Sequence, residues 1–128
     1  MWVKKDAYES IKENKKLVVA VSPDYAPFEF KTLVDGKDQV VGSDIKLAQA
    51  IADELGVKLE VTTMSFDNVL SSLQAGKADI AISGISVTDE RKKTFDFSDP
   101  YYETQNAIIV RKDQESTYSS LDAFKGKK

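Results

Sequence analysis

The run Ser83-Gly84-Ile85-Ser86-Val87-Thr88-Asp89-Glu90-Arg91 follows the apolar Ile80-Ala81-Ile82 and gathers groups able to grip a small charged molecule. Thr88 before Asp89 and Glu90 has the pattern of a capped helix start with acids in its first turn. Free backbone amides at and before such a start favour anions. Gly84 permits close backbone approach, Ser86 supplies a hydroxyl, and Arg91 offers a planar fork suited to a carboxylate. The same residues also make an ordinary cap, with Arg91-Lys92-Lys93 as a solvated face and Asp89 paired to Lys93 at i,i+4. On spacing alone that plainer reading is preferred. Tyr25, Phe28 and Phe66 form a second set, either walls for the apolar stem of a ligand or residues that simply pack.

Catalytic chemistry finds less support. The chain has no His and no Cys, and Gly84-Ile85-Ser86-Val87-Thr88 lacks the final glycine of a nucleophile elbow. No Gly-rich phosphate loop and no acid cluster with metal-ligand spacing is present in the sequence. No catalytic residue, metal ligand or cofactor is assigned, and the expectation is a binding module and not an enzyme.

Elements that could hold these groups are legible around them. Leu17-Val18-Val19-Ala20-Val21-Ser22 is a continuous β-branched run, the mark of a strand buried on both faces. The prolines at 23 and 27 predict an ordered loop over 23–30, and Asp35-Gly36 between β-prone pieces predicts a hairpin. Ile45, Ala48, Ile51, Ala52 and Leu55 recur at helical spacing, with Ser43 or Asp44 as cap and Gly56 as stop. A strand over 57–64 follows, then a helix capped by Ser65 that carries Phe66, Val69, Leu70 and Leu73 and ends at Gly76. Further strands are expected over 78–83 and 105–113, with short helices at 6–16 and from Leu121. The order βαβαβ predicts a parallel α/β sheet. In such sheets a ligand crevice lies beyond the carboxyl ends of the strands, so the loops after the first and third strands should converge at one edge.

Composition bounds the rest. A chain of 128 residues with 41% hydrophobic and 30% charged content is sized for one domain with a real core. A net charge of −3 weighs against nucleic acid as partner. The longest apolar run, Leu17 to Val21, falls far short of a membrane span. The opening Met1-Trp2-Val3-Lys4-Lys5-Asp6 does not read as an export signal. That leaves a cytosolic chain or one met without its export segment.

Taken together, "LVVAVSPDYAPFEF", "VGSDIKLAQAIADELG", "SFDNVLSSLQAGKADIAISGISVTDERKKTFDFSDPYY" and "SLDAFKGKK" closely resemble the bacterial extracellular solute-binding proteins of family 3, the polar amino-acid receptors of ABC importers. The resemblance runs in collinear order from about Lys15 to the end, and its "TDERKK...FDFSDPYY" portion is the specific part. It implies a periplasmic-binding-protein-like (type II) α/β fold of two lobes, a mostly parallel sheet flanked by helices, of which this chain carries the first. Expected divisions are a helical extension over 1–14, lobe 1 over 15–113, and a linker with the start of lobe 2 over 114–128.

The same resemblance implies a site. Arg91 would take the ligand's α-carboxylate with the Ser86 backbone amide, and the Gly84 carbonyl and Ser86 hydroxyl would take the α-ammonium. Tyr25 and Phe66 would flank the side chain, while Ser83 and Ser22 would touch the ligand. Many relatives carry an Asp where Ser22 stands, and Asp24 is the candidate substitute. Glu29, in "PFEF", is left to structure. Implied partners are a free amino acid of the glutamine, arginine, lysine or histidine class and the membrane subunit of an ABC transporter. The implied location is extracytoplasmic, as a lipoprotein or a transporter-fused domain. One lobe alone is expected to bind weakly or not detectably, and its uncovered cleft face could promote self-association. The competing implications are a cyclohexadienyl-dehydratase-like enzyme and a sensory ligand-binding domain.

Overall fold

A computed structural model describes residues 7–126; Asp6, the earlier part of the expected extension, Lys127 and Lys128 lie outside the described residues. The chain divides into two compact units at the Thr88–Asp89 junction.

In the first unit, α1 (Ala7–Asn14) leads into β1 (Lys16–Val21). A three-stranded excursion follows, with β2 (Asp24–Tyr25), β3 (Glu29–Val34) and β4 (Lys37–Val41), and then α2 (Ser43–Leu55), β5 (Lys58–Thr63), α3 (Phe66–Gln74) and β6 (Ile80–Ala81). The strands β5-β1-β6 make one parallel sheet and β2-β3-β4 make an antiparallel one. The parallel sheet with its helices meets the sequence expectation. The antiparallel sheet was legible only at its β3–β4 hairpin, where Asp35 (φ 52°) and Gly36 (φ 77°) supply the left-handed turn.

The central strand β1 explains why its sequence is apolar without interruption. Leu17, Val19 and Val21 face one core with Ile11 of α1 and Ala48 and Ala52 of α2. Ala20 faces a second core with Val69 of α3 and Ala78, against which Val18 packs. Alternate side chains therefore serve opposite faces of the sheet, and Val19, Ala20 and Val21 are fully buried. Asp79 lengthens the short β1–β6 pairing: its amide donates to the Val18 carbonyl (2.9 Å) and its carboxylate accepts from the Val18 amide (2.8 Å).

The start of α2 is not capped by a side chain. Gly42 is the N-cap, and neither Ser43 nor Asp44 fills that role. Instead the Ser43 amide donates to the Pro27 carbonyl (3.1 Å) and the Asp44 amide to the Phe28 carbonyl (2.8 Å), so the loop satisfies two otherwise orphaned donors. Gly42 sits at φ 129°, and a Cβ there would run into the Phe28 carbonyl. Gly56 ends α2 in the left-handed conformation, φ 69°, as expected.

In the second unit, α4 (Asp89–Lys92) is a single turn, and 3-10 turns occur at Lys112–Gln114 and Leu121–Phe124. The strand expected over 105–113 is not formed. A strand exists by pairing, and the described residues from Asp89 onward contain no other strand to pair with it. The helix expected from Leu121 is a 3-10 turn, with Tyr118 and Phe124 stacked at 4.8 Å.

Candidate functional site

Because β1 and β6 run parallel, their carboxyl ends share an edge, and the residues just beyond them meet there. The Ser22 amide, after β1, donates to the Ser83 hydroxyl, after β6, at 2.8 Å. The Ser83 hydroxyl in turn donates to Glu29 Oε1 at 2.5 Å. Both serines are buried, and Glu29, at the head of β3, is 0% exposed. One serine hydroxyl thus joins the loop after β6 to both the end of β1 and the head of β3.

Above this junction lies a cavity of about 190 Å³ lined by Asp24, Tyr25, Glu29, Phe66, Ser83 and Gly84. That is below the roughly 300–1,000 Å³ of a closed small-molecule pocket, and comparable to one wall of such a site. Tyr25 and Phe66 remain 49% and 40% exposed, so their rings are available to a ligand. Tyr25 stacks on Phe28 at 5.2 Å and lies against Gly84, where a Cβ would approach its ring to 2.8 Å. Gly84 also has φ 60°. Conformation and space both demand glycine there, and the result is a backbone flush with an aromatic wall.

Five of the eight residues named from sequence thus line one cavity: Asp24, Tyr25, Phe66, Ser83 and Gly84. Ser22 lies behind it, its hydroxyl donating to Asp24 Oδ1 at 3.0 Å, so it braces the exposed Asp24 carboxylate. Ser86 is exposed two residues beyond Gly84, in the same unit. Arg91 belongs to the second unit, where it stands half-buried on α4.

Glu29 is the lining residue that sequence reasoning passed over. Burial is the main cause that pushes its carboxyl up to about 8, helped by its hydrogen bond with the buried Asp44 and by the negative charges of Asp44 and Asp24, while the Ser83 hydroxyl opposes the rise. Two carboxyls hydrogen-bond to each other only through a proton. A carboxyl raised that far is mostly protonated at neutral pH. Its Oε2 has no hydrogen-bond partner. Periodicity gave no signal for it, since Lys31 and Leu33, the next residues at its spacing along β3, are exposed.

Among the described residues no helix is long and apolar enough to cross a membrane, and no cluster of acids is arranged to hold a metal ion. In sequence the chain is 42% identical, over 88% of its length and 42% of the relative's, to the arginine-binding extracellular protein ArtP of Bacillus subtilis. In structure it is similar to an amino acid ABC transporter substrate-binding protein from Streptococcus pneumoniae bound to L-arginine. The TM-score there is 0.82 at 64% identity, covering 94% of this chain and 50% of that one. It is also similar to the arginine-bound domain 1 of TmArgBP from T. maritima, with TM-score 0.67 at 46% identity, covering 73% of this chain and 71% of that one. The chain spans less than half the length of the curated relative and half that of the pneumococcal one. The fold is that of a periplasmic-binding-protein-like α/β lobe. Residues 17–124 match the family model as well, and with the strand-end cavity in place the chain belongs to the bacterial extracellular solute-binding proteins, family 3.

Proposed function

We propose that this chain is the first lobe of an extracytoplasmic amino-acid receptor that delivers its ligand to the membrane subunit of an ABC importer, and that the ligand is cationic. The observation that carries the cationic class is Asp24, an exposed carboxylate braced by Ser22 and set in a cavity between Tyr25 and Phe66. A guanidinium or ammonium would pair with that carboxylate while its methylene stem lies between the rings. Arginine is favoured within the class, since both structural neighbours named above hold it. The Gly84 carbonyl and the Ser86 hydroxyl are assigned to the α-ammonium. Arg91, with the Ser86 amide, is assigned to the α-carboxylate on the family resemblance alone. A zwitterion removed from water needs partners for both charges.

The arginine-bound domain 1 of TmArgBP supports binding by a first lobe on its own. Self-association through the exposed cleft face, and attachment as a lipoprotein or within a transporter-fused chain, complete the proposal. The test is a thermal-shift screen of the full-length protein against the twenty amino acids. Arginine at a hundredfold excess over its Kd should stabilise by about 2.7 kcal/mol. Arg91→Ala should remove that shift with the fold intact. A response to acidic or aliphatic amino acids in place of cationic ones would refute the ligand class, and an unchanged response in the variant would remove Arg91 from the site.

A further inference from the structure

The buried carboxyl pair beneath the cavity has a chemistry that simple packing does not require. Glu29 lies on the lining and is fully buried, its Oε1 taking the Ser83 hydroxyl and its Oε2 without a hydrogen-bond partner. The two charges that raise it are negative: Asp44 from the first turn of α2 and Asp24 from β2. The other side chains at the junction are the hydroxyls of Ser22 and Ser83, the Tyr25 phenol and the Phe66 ring. A site that awaits a cation has thus gathered three carboxyls and keeps one of them discharged.

We propose that Glu29 is a proton-loaded positioning residue: the Glu29–Asp44 pair holds one proton in the ligand-free chain, fixes the Ser83 hydroxyl at the cavity, and releases that proton when a cationic side chain enters beside Asp24. The inference rests on the cationic-ligand reading given above. The step balances simply. The Glu29 O–H bond breaks, its electron pair stays on the carboxylate, and the proton passes to buffer while the ligand's positive charge replaces it. A cation within about 4–6 Å lowers a carboxyl's pKa by roughly 1–3 units, enough to bring Glu29 from about 8 to neutrality or below. The sign follows. The ionised pair binds the cation more tightly, so affinity rises with pH between the bound and free values and levels off above the free one. The Ser83 hydroxyl keeps its acceptor throughout, because Oε1 accepts in either protonation state.

The experiment uses the full-length protein and L-arginine. Titration calorimetry in buffers of different ionisation enthalpy should show a proton released per arginine bound near pH 7, and a Kd that tightens about ten-fold from pH 6 to pH 8. Glu29→Gln copies the protonated acid, donating toward Asp44 and accepting from Ser83. It should fold, bind arginine and lose both the proton release and the pH slope, which a merely structural role would leave unchanged. Carboxyl-carbon NMR of the ligand-free protein should show Glu29 titrating near 8. Titration in the ordinary carboxylate range, or arginine binding with no proton released, overturns the proposal. Failure of any cation to bind instead overturns the ligand reading and the release step together, and the ligand-free NMR titration then decides on its own whether the pair shares a proton.

Discussion

Up to Thr88 the chain closes two cores around β1, with Leu17, Val19 and Val21 on one face and Ala20 on the other. From Asp89 to Gly126 no described residue is buried, although Ile108, Ile109 and Leu121 are as apolar as anything in β1. Ile109 is 97% exposed and Val19 is 0% exposed. Apolar side chains alone therefore do not make a core. Those of β1 are covered because β5 and β6 pair on either side of it and helices close both faces. Segment 105–113 has strand-like sequence and, among the described residues of its own unit, no ladder to join. Stability in this molecule follows pairing partners more than residue type.

That contrast can be broken or sharpened by substitution, with the equilibrium stability of each variant measured by denaturant unfolding. Leu17→Ala, in β1, should have the largest effect, a loss of about 2–5 kcal/mol from transfer and cavity terms. A loss below 1 kcal/mol would mean that β1 is not the centre of the stable unit. Ser83→Ala should cost about 1–3 kcal/mol, because it leaves the buried Ser22 amide without its acceptor and Glu29 Oε1 without its donor. A neutral result would show that water replaces the hydroxyl at the strand ends. Ile109→Ala should change stability by no more than about 0.5 kcal/mol, and a larger loss would show that the second unit is packed against something.

The parallel βαβαβ order was legible because each apolar run has one period and one pair of stops: β1 unbroken, α2 repeating at three and four residues and ending at Gly56. The Asp35-Gly36 hairpin was legible from turn chemistry. Pro23 and Pro27 argued correctly against a central strand but hid β2, which is an edge strand of two residues and tolerates flanking prolines. The capping of α2 was invisible, since backbone carbonyls at positions 27 and 28 leave no trace in residue identity. Of the site, Tyr25, Phe66 and Gly84 were readable from their places just beyond the ends of the strands that precede them. The carboxyl chemistry of Glu29 was not, because a pKa is set by what surrounds a group in space, here Asp44 fifteen residues on and Ser83 in the loop after β6.

The loop carbonyls that hold the head of α2 have a cost for anion recognition. A helix start is ordinarily a ready seat for an acid group, but here two of its leading amides are already committed to Pro27 and Phe28 inside the fold. The positive end of α2 is thereby turned inward, against a loop and a buried aspartate. Redesigning this lobe to accept an acidic solute would have to begin by prising that loop away, which would loosen the very turn that presents Tyr25.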